Sequence, residues 1–238
     1  MTLNGLGRDT GRVARLLTCG AAAGPLYLAV GLAQVLTREG FEIRRHALSL
    51  LSNGSLGWIQ ISNFIATGAL VALGALGLRA SWRGGRAGTW TPLLLGIYGA
   101  CLIGAGIFVA DPGAGFPPGT PDPPPFSQEY ALTRSGILHF VFGGIGFYAF
   151  VGACLVAARR FWGRDERLWA LSTVAIGVGF FASFMMMIWR PFPEFLLAFW
   201  VAVLLMWVWH TAFYLHVRQE PVLRDGAISA PASGPRGR

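Results

Sequence analysis

Hydrophobic residues fall into six long runs separated by short polar stretches. The runs cover roughly Ala14–Thr37, Trp58–Leu78, Thr91–Ala110, Gly136–Ala158, Trp169–Trp189 and Phe195–Val217. An α-helix rises about 1.5 Å per residue, so about 20 apolar residues cross a hydrocarbon core of about 30 Å. Each run meets that length with few charges. The pattern predicts an all-α chain, a bundle of six transmembrane helices occupying 14–217. A short arm, 1–13, precedes it, and a tail, 218–238, follows. The tail is polar and carries Pro221, Pro231 and Pro235, so it is expected to be disordered.

Charge then gives an orientation. The chain has 19 basic residues against 11 acidic ones, a net charge of +8, and every basic residue is Arg. Arg8, Arg12 and Arg15 precede or open the first run, and Arg79, Arg83 and Arg86 sit between the second and third. Arg159, Arg160, Arg164 and Arg167 lie between the fourth and fifth, and Arg218, Arg224, Arg236 and Arg238 follow the sixth. The opposite side holds only Arg38, Arg44, Arg45, Arg134 and Arg190. Positive loops stay in the cytoplasm, so both termini are expected inside. The basic balance is therefore a topology signal, and no nucleic-acid partner is expected. Cys19, Cys101 and Cys154 fall within apolar runs and read as small buried hydrophobes.

The two sides differ in chemistry. The inner loops are short and basic. The first outer loop, Arg38–Gly57, places Ile43, Ala47, Leu50 and Leu51 on one helical face, which predicts a short amphipathic helix at the interface. The second outer loop, Asp111–Ser135, contains seven prolines and the aromatics Phe116, Phe126 and Tyr130. Proline fixes the backbone in extended or turn conformations, so this segment reads as a proline-rich outer cap.

Candidate chemistry gathers at the outer ends of the helices. His139 shares a face with Gly136, Gly143 and Gly146, and small residues at helical spacing mark close helix packing, so His139 is expected to point inward. Gly143 and Gly146 are both expected against a neighbouring helix. Gln60, Asn63 and Thr67 line one face of the second helix. Arg45, His46 and Ser49 come from the first outer loop, Asp111 from the end of the third helix, and Arg190 from the end of the fifth. Ionisable groups within a membrane are costly and point to function. Each also has a plainer role: Asp111 as a helix terminator, His139 as a hydrogen-bonded packing residue, Gln60 and Asn63 as interhelical contacts. Trp207, Trp209, His210, Tyr214 and His216 read as an aromatic belt at the inner interface. His139 and His210 lie at very different depths, so no haem is expected.

Three motifs carry a resemblance. They are Arg45–Gly54 (RHALSLLSNG) continuing to Gly57-Trp58-Ile59-Gln60, Gly104–Pro112 (GAGIFVADP) continuing to Gly115–Pro121 (GFPPGTP), and Gly136–Phe140 (GILHF). Together they resemble the domain-of-unknown-function 998 family of polytopic bacterial membrane proteins. The resemblance spans the chain from the first helix to the sixth, with a departure at Phe126–Arg134. It implies six helices and a multi-pass protein of the bacterial plasma membrane. It also matches His46, Ser49, Gly57, Asp111 and His139 to the family's recurring positions. It supplies no activity.

Three functions remain open on this reading. The first is an outward-facing polar pocket that binds a lipid or small apolar molecule, with Arg45, Gln60, Asn63 and Arg190 as ligand contacts. The second is a membrane-embedded hydrolase in which His46, Asp111 and His139 hold a zinc ion, with Ser49 beside them. The third is a structural or accessory membrane subunit, with membrane lipid, a second copy or another membrane protein as partner. A transporter lacks an acidic residue near the midplane and a broken helix.

Overall fold

The computed structural model describes residues 3–122, 132–189 and 192–220, with side chains from Thr10 onward. Six helices form: α1 (Leu3–Thr37), α2 (Gly57–Ser81), α3 (Gly85–Ile107), α4 (Arg134–Gly163), α5 (Arg167–Trp189) and α6 (Pro193–Arg218). Each contains a span long and apolar enough to cross a membrane. Among the described residues there is no strand. The apolar runs thus became helices as their length required, because a helix satisfies its own backbone where no water is available. α1 begins at Leu3, well before the apolar run opens at Ala14.

Each helix packs against its neighbours in sequence, and α6 returns to α1. The bundle is therefore a ring of six, closed by the α1–α6 contact. Glycine sets the closest crossing of α2 and α3. A methyl group on Gly68 would lie 2.5 Å from the Gly99 carbonyl oxygen, and one on Gly99 would lie 2.7 Å from that of Gly68. Backbones approach this closely only where no side chain intervenes. Aromatic rings fill the middle of the ring. Tyr27 stacks on Trp207 at 4.8 Å, and Tyr98 packs against both Trp207 and Phe150.

One end of the bundle is closed by charged contacts. Glu220, just past α6, accepts from Trp82 Nε1 at 2.9 Å and from Arg164 at 3.1 Å. The His216 ring stacks on Trp169 at 4.3 Å and lies 2.7 Å from Glu166. The residues expected at an inner aromatic belt are placed differently. Trp207, Trp209, His210 and Tyr214 are buried, and His210 and Tyr214 have no exposed surface. They face the ring's interior, because the α1 and α5 neighbours cover this side of α6.

At the opposite end, the α1–α2 connection forms no α-helix. It folds as successive turns and one 3-10 turn, Leu48–Ser52. The expected interfacial helix is absent because Leu48 and Leu51 dock into the bundle while Ile43 stays 44% exposed, so the four apolar residues share no face. Gln34 Nε2 donates to Gln60 Oε1 at 2.8 Å, and Asn63 Nδ2 donates to the Tyr27 carbonyl at 3.2 Å. These amides join α1 to α2.

Candidate functional site

The junction of α3 and α4 is built by reciprocal capping. A helix leaves its last carbonyls and first amides without partners. At the end of α3, the carbonyls of Ala105 and Phe108 lie 3.0 and 2.9 Å from His139 Nδ1. Ser135 Oγ donates to the Val109 carbonyl at 2.9 Å. In return, Asp111 serves the start of α4. Its carboxylate accepts from Thr133 N at 2.8 Å and from Thr133 Oγ1 at 2.6 Å, and Thr133 Oγ1 accepts from Gly136 N at 3.1 Å. A carboxylate at a helix N-terminus also meets the positive end of the helix dipole.

The two carbonyls fix the state of His139. Both can only accept, so Nδ1 carries the proton. In the neutral ring Nε2 is then a bare acceptor on the opposite edge. His139 is 7% exposed and lines a cavity of about 140 Å³.

That cavity lies inside the ring. Tyr27, Phe64, Phe147, Phe199, Trp200 and Trp207 form most of its aromatic wall, and Ala47, Leu48 and Ser49 close it from the α1–α2 connection. It reaches the α4 surface at Phe140, Gly143 and Gly144, where Phe140 is 59% exposed. Gly146 packs as expected, since a methyl group there would lie 2.8 Å from Cys101 Cβ. Gly143 does not: nothing lies within 4 Å of an added methyl. Its small side borders the cavity instead of a neighbouring helix.

His46, next to the lining residue Ala47, does not line the cavity. Its Nδ1 accepts from Glu42 N at 2.8 Å, so Nε2 is the protonated nitrogen and donates to the Ala114 carbonyl at 2.9 Å. Its own carbonyl accepts from Trp200 Nε1 at 3.1 Å. The ring packs between Phe41 and Phe116 at 5.3 and 5.4 Å. His46 therefore ties the α1–α2 connection to the segment after α3 and to α6. Arg38, which the sequence does not single out, does similar work. It donates to the carbonyls of Leu51 at 3.1 Å and Asn53 at 2.6 Å and lies 5.2 Å from the Phe116 ring centre. Partial burial lowers its guanidinium from the ordinary arginine range.

His46, Asp111 and His139 are each engaged with partners of their own. Among the described residues, no group of three or more His, Cys, Asp or Glu side chains is placed to hold a metal ion. The reason is in the bonding. Both nitrogens of His46 face backbone partners, and the Asp111 carboxylate is directed at Thr133. His139 and Asp111 share the α3–α4 junction, whereas His46 bonds to Glu42 and to Ala114 beyond the end of α3. Of the proposed ligand contacts, Arg45 pairs with Asp122 at the surface, and Gln60 and Asn63 sit between α1 and α2, off the cavity wall. Ser49 lines the cavity. Arg190, Phe126 and Tyr130 lie outside the described residues, as does the tail from Pro221. Tyr27, Trp200 and Trp207 were missed as wall residues, since an aromatic in an apolar run carries no mark of the direction it faces.

A family model described as a protein of unknown function (DUF998) matches residues 21–216. The chain belongs to this family. The match takes in all three motifs and both halves of the α3–α4 junction, and the six apolar helices agree with the helix number the resemblance implies. No curated protein matches the chain, and no solved structure matches it.

Proposed function

We propose that this DUF998 protein holds an apolar molecule, a membrane lipid or part of one, in the aromatic cavity at the outer end of its helix ring. The reading places both termini in the cytoplasm of a bacterial cell, with the His46 side facing out. The observation that carries it is the cavity itself. Dry apolar cavities of about 150 Å³ admit benzene-sized groups, and this one, at about 140 Å³, is walled by aromatic side chains. Its contact with the α4 surface at Gly143 and Gly144 supports entry from the bilayer side. A ligand whose surface is mostly buried against apolar walls, with a few polar groups to orient it, is the usual arrangement of a small-molecule site.

The test uses Trp200 and Trp207 as reporters, because both line the cavity. A bromo-substituted alkylbenzene added to the full chain in lipid nanodiscs should quench their fluorescence saturably. Gly143→Phe, which fills the opening, should weaken that quenching at least about tenfold. Quenching that rises linearly with the bulk probe, with no difference between the two proteins, would remove the binding reading.

A further inference from the structure

The cavity also specifies what its occupant carries. Resting on the binding reading above, we infer that the occupant is an uncharged apolar molecule bearing a hydroxyl group, and that this hydroxyl donates to His139 Nε2.

Three observations converge on that chemistry. First, the carbonyls of Ala105 and Phe108 lock the proton of His139 onto Nδ1. His139 is 93% buried and lines the cavity, and its Nε2 acceptor has no hydrogen bond from any described residue. An acceptor facing an apolar ligand without a donor costs free energy, so a donor-bearing occupant is favoured over a pure hydrocarbon. Second, no Arg among the described residues lines the cavity. Of the described cations at this end, Arg45 is committed to Asp122 and Arg38 to the Leu51 and Asn53 carbonyls. A phosphate or carboxylate head would enter an apolar site with no counter-charge from these residues, which is strongly unfavourable. Third, the hydroxyls of Tyr27 and Ser49 also belong to lining residues and bond to no described residue. Each can donate to the oxygen of a bound hydroxyl, so the incoming group can both give and accept.

The head fits the space in size. The cavity takes a ring or a few methylenes, and a longer tail has a way out past Gly143 and Gly144 toward the lipid. Two sources share this chemistry, a phenolic ring and an aliphatic alcohol.

The experiment measures displacement of the brominated alkylbenzene from the full chain in nanodiscs. The first pair of competitors is 4-octylphenol and 4-octylanisole, which differ by a methyl group on oxygen. The second pair is 1-dodecanol and dodecyl methyl ether, and 4-octylbenzoate supplies the anionic head. In wild-type protein the hydroxyl member of at least one pair should bind about tenfold tighter than its ether, the effect of ~1.4 kcal/mol. The pair with the larger preference identifies the head as ring or chain. His139→Leu should reduce that preference to less than about twofold. The wild-type ratio requires no variant to fold, so it decides the question if His139→Leu does not assemble. Equal binding of hydroxyl and ether in both pairs overturns this inference while leaving the binding reading intact. Tightest binding by the benzoate overturns the uncharged head. Failure of every competitor to displace the probe overturns the binding reading itself.

Discussion

A buried imidazole has two ring nitrogens to satisfy, and the two histidines at the cavity end adopt opposite tautomers. His46 accepts at Nδ1 and donates at Nε2, so backbone groups take up both edges and the ring becomes a tie between segments. His139 donates at Nδ1 to two carbonyls and keeps Nε2 as an acceptor at the cavity wall. At the same scale, the glycines of α4 separate packing from access. Gly146→Ala places a methyl group 2.8 Å from Cys101 Cβ, whereas Gly143→Ala meets nothing within 4 Å. Overpacking of this kind costs about 1–3 kcal/mol, and alanine gains roughly 0.5–1 kcal/mol over glycine within a helix. Thermal unfolding in detergent should therefore show Gly146→Ala less stable than wild type and Gly143→Ala equal to it or slightly more stable. The reverse order would mean that the Gly143 face is the packed one.

At the scale of elements, the α3–α4 junction explains why the same short stretch holds Asp111, Thr133, Ser135 and His139. Each satisfies a backbone group that a helix end leaves open. Removing the acceptor at the start of α4 should loosen that end without disturbing the ring. Asp111→Ala deletes the bonds to Thr133 N and Oγ1, and the loss of a capping group typically costs ~1 kcal/mol. Hydrogen exchange should rise at Thr133–Ile137 and stay unchanged in α6. Uniform exchange across both helices would assign Asp111 to global stability instead. The junction also shows what the sequence could and could not reveal. The six helices were legible because apolar length alone demands them. The inward face of His139 was legible from Gly136 and Gly146, which do pack closely. Its partners were not, because they are backbone carbonyls and leave no mark in the residue types. The loop before α2 misled for a related reason. Ile43, Ala47, Leu50 and Leu51 have helical spacing, but Arg38 and His46 hold the backbone in turns through main-chain bonds that periodicity does not register. Likewise the composition of α6 announced aromatic residues near its C-terminal end, yet only packing decided that Trp207, His210 and Tyr214 face inward.

For the whole molecule, the ring arrangement and the distribution of arginines bear on one another. Six helices in sequence order return both termini to one end, where Glu220 joins Trp82 at the start of the α2–α3 connection and Arg164 at the start of the α4–α5 connection. That end therefore gathers the start of α1, the end of α6 and the two basic loops, while the cavity, with Trp200 and Ser49 in its wall, and the Ala114–Phe116 segment lie at the other. If positive loops stay inside, the cavity opens in the outer half of the bilayer. The orientation is testable apart from any ligand. A cysteine at Pro121, exposed in the α3–α4 connection, should react with a membrane-impermeant maleimide on intact cells. One at Arg86, exposed at the start of α3, should react only after the membrane is opened. The native Cys19, Cys101 and Cys154 lie within the apolar spans, and the latter two are buried, so the added thiol dominates the aqueous signal. Labelling of Arg86→Cys on intact cells with Pro121→Cys silent would invert the protein. The cavity would then face the cytoplasmic leaflet, and lipids made on that side would become the molecules to test in the displacement assay.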